Sequence, residues 1–269
     1  MKYLYITNNP EEAMISDQVG IDYVFIDLEK NGKEERQKDM DTVKSNHDFE
    51  DIRLIKPLLK KSKLLVRCNP IYEGTKNEIN KIINFGADAV MLPYFKTIEE
   101  VKKFLEFVDE RVEAFLLLET KEAISILDEV CDLEGIDRIH IGLNDLSISY
   151  GKKFMFELLQ DNTVERIIDS IKKTAIPYGF GGVSALGTGR LPADKIVLEH
   201  VRLNSTSVIL SRSFKNAIQE KYGSSNTEDG FLREINKINQ LVQKSYSVKE
   251  LNKNHNDLKD IIEEIKNEK

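Results

Sequence analysis

Eight short apolar runs recur along the chain, separated by stretches in which apolar residues return every three or four positions. The runs are YLYIT (3–7), YVFIDL (23–28), KLLVRCN (63–69), AVMLPYF (89–95), AFLLLET (114–120), RIHIGLND (138–145), YGFGGVS (178–184) and SVILSRSF (207–214). Each is too short and too continuously apolar to be an amphipathic helix. Strands of a parallel sheet covered on both faces have this composition. Between them lie helical patterns. In 97–110, Ile98, Val101, Phe104, Leu105 and Val108 fall on one stripe, and 121–132 and 162–175 are similarly spaced. Thr97 before Glu99 and Glu100 marks a helix start, with acidic side chains at the positive end of the helix dipole. Gly86 and Gly135 stand where a helix should stop and a strand begin. Eight strand–helix units in sequence predict an α/β fold, a single (β/α)8 TIM barrel over 1–222, with an open eight-stranded sheet as the alternative.

Residues 223–269 behave differently and are expected to form a C-terminal helical extension. Phe231, Leu232, Ile235, Ile238, Leu241 and Val242 make one narrow stripe over 227–243. Leu251, Leu258, Ile261, Ile262 and Ile265 make another over 247–266. A narrow stripe must be buried somewhere, either on the barrel or on a second subunit.

Composition narrows the function classes. A chain of 269 residues that is 41% hydrophobic can bury a full core. The net charge of -7 disfavours a phosphate backbone, so no nucleic-acid partner is expected. No apolar stretch reaches the roughly 20 residues of a membrane span, and the N-terminus lacks a signal-peptide pattern. Cys68 and Cys131 form no CxxC pair, which points to neither a disulfide framework nor a zinc site. A cytoplasmic protein is expected.

In a barrel the chemistry sits at the carboxyl ends of the strands. Strand two ends on Asp27 and Glu29, strand three on Arg67 and Asn69, strand five on Glu119 and Thr120, and strand six on Asn144 and Asp145. Strand seven ends in Gly181, Gly182 and Ser184, and strand eight carries Ser211, Arg212 and Ser213. Four carboxylates and two arginines thus converge on one rim. Carboxylates so close repel one another unless a cation lies between them. Oxygen ligands select a hard ion, here Mg2+ or Mn2+. The rival readings are plain: Glu119 and Asp145 as solvated strand ends, Arg67 as a salt bridge to Asp27 or Glu29, His140 as a satisfied core histidine, and Gly181–Gly182 as close strand packing. His47 is assigned to the start of the next helix.

The segments GIDYVFIDLE, LLVRCNP, NFGADAVMLPYFKTIEEV, the run Leu116–Ser147 and GFGG resemble the HpcH/HpaI aldolase and citrate lyase β-subunit family over roughly residues 15–215. The run with a strand-end glutamate, EGID and a Gly-x-x-Asp-Leu-Ser turn is the most specific piece. The resemblance implies a metal-dependent carbon–carbon lyase that forms the enolate of pyruvate or another 2-oxo acid. It makes Glu119 and Asp145 the metal ligands and Arg67 the residue facing the enolate oxygen. Asp27 and Glu29 would hold metal-bound water, and backbone N–H groups from Gly142 through Asn144 to Asp145 would hold the substrate carboxylate. It also implies a homo-oligomer.

Two positions depart from that pattern. The aldolase branch has a histidine where this chain has Lys30, and an aspartate where it has Asn84. Lys30 is therefore a candidate base, or a contact for the second substrate. The polar loop 31–51, with Lys33, Arg36, Lys44 and His47, or a metal-bound water, is another source of the missing group. Two other functions stay open: a citrate-lyase-like acyl-CoA lyase or thioesterase, and a barrel that binds metal and 2-oxo acid without turnover.

Overall fold

A computed structural model describes residues 1–32, 46–211 and 213–268. Eight parallel strands close into a barrel in sequence order: β1 (Lys2–Ile6), β2 (Tyr23–Asp27), β3 (Lys63–Arg67), β4 (Ala89–Leu92), β5 (Glu113–Leu118), β6 (Arg138–Ile141), β7 (Tyr178–Val183) and β8 (Ser207–Leu210), with β8 pairing back to β1. That last pairing decides for the barrel over an open sheet. Alternation along the strands separates two cores. Leu4, Phe25, Leu65, Met91, Phe115 and Leu117 fill the interior. Ile26, Val66, Val90, Leu116 and Ile141 face outward into the layer shared with the helices.

The helices follow the apolar spacing. They are α1 (Pro10–Val19), α2 (Phe49–Ile55), α3 (Thr75–Asn84), α4 (Ile98–Val108), α5 (Lys121–Ser125), α6 (Leu127–Cys131), α7 (Leu143–Ser149), α8 (Glu157–Gln160), α9 (Thr163–Ile171), α10 (Ala193–Arg202), α11 (Ser213–Tyr222), α12 (Thr227–Gln243) and α13 (Val248–Asn267). Thr97 caps α4 in a capping box with Glu100, which satisfies two end N–H groups at once. Several strands stop earlier than their apolar runs. Residues 142–145 leave the sheet at Gly142 and enter α7, and Ser213 and Phe214 open α11. The segment 121–132 forms two short helices rather than one, broken at Ile126.

The β7–β8 register shifts between Gly179 and Gly182, next to the rim, and Gly181 takes a left-handed φ of 53°. A side chain there would be strained by the backbone, and its Cβ would lie 2.7 Å from Leu143 Cδ1. Close packing therefore accounts for Gly181.

The C-terminal stripes are buried on the same chain. Helix α12 packs on α1, α10 and α11, and α13 packs on α10 and α8. Phe231, Ile235, Ile238, Leu258 and Ile262 are buried, whereas Leu232 is exposed. Glu199 of α10, fully buried, takes a hydrogen bond from Arg202 and is paired with His255 of α13.

Candidate functional site

Strands β2 and β3 pair in register through Asp27 and Arg67, which are neighbours at the carboxyl end of the barrel. Arg67 Nε and Nη2 donate to the two oxygens of Asp27, each at 2.8 Å, and Nη2 lies 3.4 Å from Glu29. Asp27 and Glu29 are buried. The salt-bridge reading of Arg67 is thus realised, with both expected partners. It leaves Nη1 outside the Asp27 fork, so the guanidinium can face a ligand without leaving Asp27. Burial alone pulls the guanidinium towards its neutral form. The charges of Asp27 and Glu29, the Asp27 hydrogen bonds and then the charge of Glu119 outweigh it and hold the group firmly cationic.

The influence of Glu119 on Arg67 puts the end of β5 in the same electrostatic field. Glu119 follows β5 and is buried. Its Oε1 accepts the N–H of Tyr94 at 3.0 Å, from the turn after β4. Tyr94 reaches that position with a φ of 50°, a left-handed conformation that a tyrosine adopts at a strain of about 1–3 kcal/mol. Across the ladder, Leu118 pairs with Ile141, so Glu119 stands beside Gly142. A Cβ on residue 142 would lie 2.8 Å from Glu119 Oε2 and 3.1 Å from its Cβ. The missing side chain at 142 is what admits the Glu119 carboxylate.

Gly142 gives its own N–H to the carbonyl of Leu118, so it is not an available donor for a substrate carboxylate. The amides of Leu143, Asn144 and Asp145 form the first turn of α7, where no carbonyl of the helix can accept them. Asn144 is half-buried and Asp145 is buried.

The residues fit a divalent cation in type. Glu119 and Asp145 are two buried oxygen donors from adjacent strand ends, and the glycine at 142 preserves room for one of them. They do not form a complete cage. Among the described residues no group of three or more His, Cys, Asp and Glu converges on a common point. Asp27 and Glu29 face Arg67 instead. An ion held by two carboxylates leaves most of its positions to substrate oxygens and water, the usual arrangement for Mg2+.

Lys30 is exposed, and its backbone N–H donates to Asn69 Oδ1 at 2.9 Å. Lys33, Arg36, Lys44 and Arg212 lie outside the described residues. His47 does sit immediately before α2, whose N-cap is Asp48. It is also buried, and its Nδ1 accepts the N–H of Asp27 at 3.0 Å. That contact joins residues 20 apart and leaves no local trace in the sequence. His140 is a core residue one layer below the rim, in register with Leu117. Its Nε2 meets the Gly181 carbonyl at 3.0 Å, its Nδ1 has no partner among the described residues, and burial pushes its pKa down to about 4. It is a core histidine, but only half satisfied.

A groove of about 940 Å3 opens at the opposite end of the barrel, lined by Lys63, Asp88, Glu113 and Asp137 among others. Asp88 is held by Lys56 and Glu113 by Lys63, and Asp137 accepts the N–H of Ala114. Those carboxylates brace the amino ends of the strands, a region that serves stability in barrels of this kind.

A model of the HpcH/HpaI aldolase/citrate lyase family matches residues 3–179. Among curated proteins, the 2-keto-3-deoxy-L-rhamnonate aldolase of Escherichia coli (strain K12) is 26% identical over 109 residues, covering 29% of this chain and 41% of that protein. The chain thus spans less than half the length of that curated relative. Among solved structures, an HpcH/HpaI aldolase from Desulfitobacterium hafniense DCB-2 has a TM-score of 0.64 at 15% identity, covering 84% of this chain and 92% of that one. The citrate synthase SbnG has a TM-score of 0.62 at 16% identity, covering 85% and 94%. At such identities the structural likeness is one of fold.

Proposed function

Because the chain belongs to the HpcH/HpaI aldolase/citrate lyase family, we propose that it is a carbon–carbon lyase working through the enolate of pyruvate or a related 2-oxo acid. The observation that carries this reading is the partly buried Arg67 guanidinium, fixed by Asp27 with Nη1 left over, in the field of Glu119. Enolate formation places negative charge on the former keto oxygen. A preorganised cation aimed at that oxygen lowers the barrier, because it need not reorient as charge develops.

In this reading each residue has one task. Arg67 Nη1 donates to the oxygen on which charge grows. Asp27 keeps the guanidinium plane fixed through two parallel bonds. The amides of Leu143, Asn144 and Asp145 receive the substrate carboxylate. Glu119 and Asp145 hold a divalent cation, Mg2+ or Mn2+, which when bound supplies Lewis-acid polarisation of the 2-oxo acid. Lys30 is exposed, with its backbone held by Asn69. We assign it to an anionic group of the second substrate rather than to proton abstraction. The partner that adds to C3 is a carbonyl compound.

The assignment is tested by titrating Mn2+ into the protein with and without pyruvate. Pyruvate should tighten Mn2+ binding to the wild type. Glu119→Gln and Asp145→Asn should each weaken Mn2+ by at least about tenfold, near 1.4 kcal/mol. Wild-type affinity in either variant removes that residue from the ligand set. No pyruvate effect in the wild type would mean that the 2-oxo acid does not share the cation's site.

A further inference from the structure

The loop after β2 carries Glu29 and Lys30 to the rim, and its backbone is held by side chains from elsewhere. The Glu29 N–H donates to Asp27 Oδ1 at 3.2 Å. The next two amides, of Lys30 and Asn31, donate to a single atom, Asn69 Oδ1, at 2.9 and 3.0 Å. Asn69 lies two residues beyond Arg67. Its other end is held by Glu78, near the start of α3: Oε1 accepts both Asn69 Nδ2 at 2.8 Å and Asn69 N at 3.1 Å. Glu78 is 5% exposed.

We propose that Glu78 and Asn69 are a positioning pair that sets the β2 loop against Arg67. This rests on the lyase reading for its effect on turnover, but not for its effect on the loop. An asparagine amide has one accepting end and one donating end. Both loop amides require the accepting end, yet two N–H groups do not by themselves prevent an amide from rotating. Oε1 of Glu78 resolves the ambiguity by accepting from Nδ2. The turn is thus read through two residues. Glu78 orients Asn69, and Asn69 orients Lys30 and Asn31. Glu29, one residue before, is kept with its carboxylate 3.4 Å from Arg67 Nη2.

The placement of Glu78 is itself built. Thr75 Oγ1, fully buried, accepts the N–H of Tyr72 and closes the turn that leads into α3. Gly74 precedes it where a Cβ would fall 2.5 Å from the Tyr72 ring. Burial of Glu78 raises its pKa, and the bonds from Asn69 work against that rise. Either protonation state of Glu78 leaves Oε1 able to accept from Asn69, so the positioning does not need a charge. It follows that a glutamine in place of Glu78 should serve, whereas an apolar residue should not.

Amide hydrogen exchange, resolved at residues 29–31, tests the pair on the full chain without any substrate. Glu78→Leu should speed exchange at Lys30 and Asn31 by about tenfold or more, since two protecting bonds lose their fixed acceptor. Glu78→Gln should restore protection to within a few-fold of wild type. Asn69→Asp keeps the acceptor for the loop but sets a second carboxylate against Glu78, and should loosen the loop even though both amides can still bond. Where Glu78→Leu leaves a cooperative unfolding transition intact and exchange at 30–31 unchanged, the positioning role is overturned. As a second readout, proton exchange at pyruvate C3 should lose rate constant in Glu78→Leu more than it gains in KM, with rescue by Glu78→Gln. Loosened amides in a protein whose wild type exchanges no pyruvate protons would leave the pair standing and remove the lyase reading.

Discussion

At the scale of single residues, the site depends on a side chain that is missing. Glu119 occupies the space a β-carbon on residue 142 would take. Gly142→Ala should therefore displace the Glu119 carboxylate while leaving the strand in place, because residue 142 has a φ of -81° that alanine accepts. We expect the variant to fold with a Tm within a few degrees of wild type and to lose cation binding by about tenfold or more. Normal Mn2+ affinity in Gly142→Ala would show that Glu119 does not need that space. The strand-end residues are legible in the sequence because a parallel strand announces its end by polar residues, and Asp27, Arg67 and Glu119 fall there, with Asp145 in the first turn of the helix after β6. Two contributions are not. His47 meets Asp27 through the backbone, and Glu78 meets Asn69 from within a helix. Such contacts join residues 9 and 20 apart and have no periodicity or motif of their own. The donor role expected of Gly142 fails for a related reason. Whether an amide is free depends on the neighbouring strand, and the Leu118 carbonyl takes this one.

At the scale of elements, β6 and β7 join the buried core to the rim. His140 holds the Gly181 carbonyl at the register shift of β7. His200 of α10 stacks on Phe180 of the same strand, with ring centroids 3.8 Å apart. Burial lowers both histidines, to about 4 and about 3, and His140's charge adds to the effect on His200. The unfolded chain protonates these imidazoles near pH 6.5 and the folded chain does not. Their neutral packing is therefore fully effective above about pH 6.5, and stability falls as pH drops from there towards about 4. His140→Gln, which keeps a donor for the Gly181 carbonyl, should show a shallower decline in Tm between about pH 6.5 and about pH 5 than the wild type. An unchanged slope would place the acid sensitivity elsewhere. The strand pattern in the sequence locates β7 but not its irregularity, because YGFGG gives three glycines and the left-handed φ that marks Gly181 shows only in the structure.

At the scale of the whole molecule, the barrel divides into a charged sector and a braced periphery. Asp27, Glu29, Arg67 and Glu119 come from β2, β3 and β5, with Asp145 opening the helix after β6. The last two helices bury their stripes on the outside of α1, α10 and α11. Glu234 of α12 accepts the Leu186 N–H in the loop after β7, and Arg190 of that loop pairs with Glu268 just beyond α13. The extension therefore holds one wall of the rim as well as covering the barrel. Among the described residues no helix is long and apolar enough to cross a membrane. The barrel is legible in the sequence because each of eight units repeats the same solution to burying a strand. The destination of the last two helices is not, since an apolar stripe specifies that it must be covered and not by what.

In the function proposed above, this rim makes an enolate. The direct measurement is exchange of the C3 protons of pyruvate in D2O, followed by NMR, first with EDTA and then with Mg2+ or Mn2+. Exchange above the buffer rate should appear with the metal and be reduced by at least about a hundredfold in Arg67→Leu, in line with the loss of a preorganised charge at a developing oxyanion. Exchange that is absent under every metal, or equally fast in Arg67→Leu, would contradict the claim.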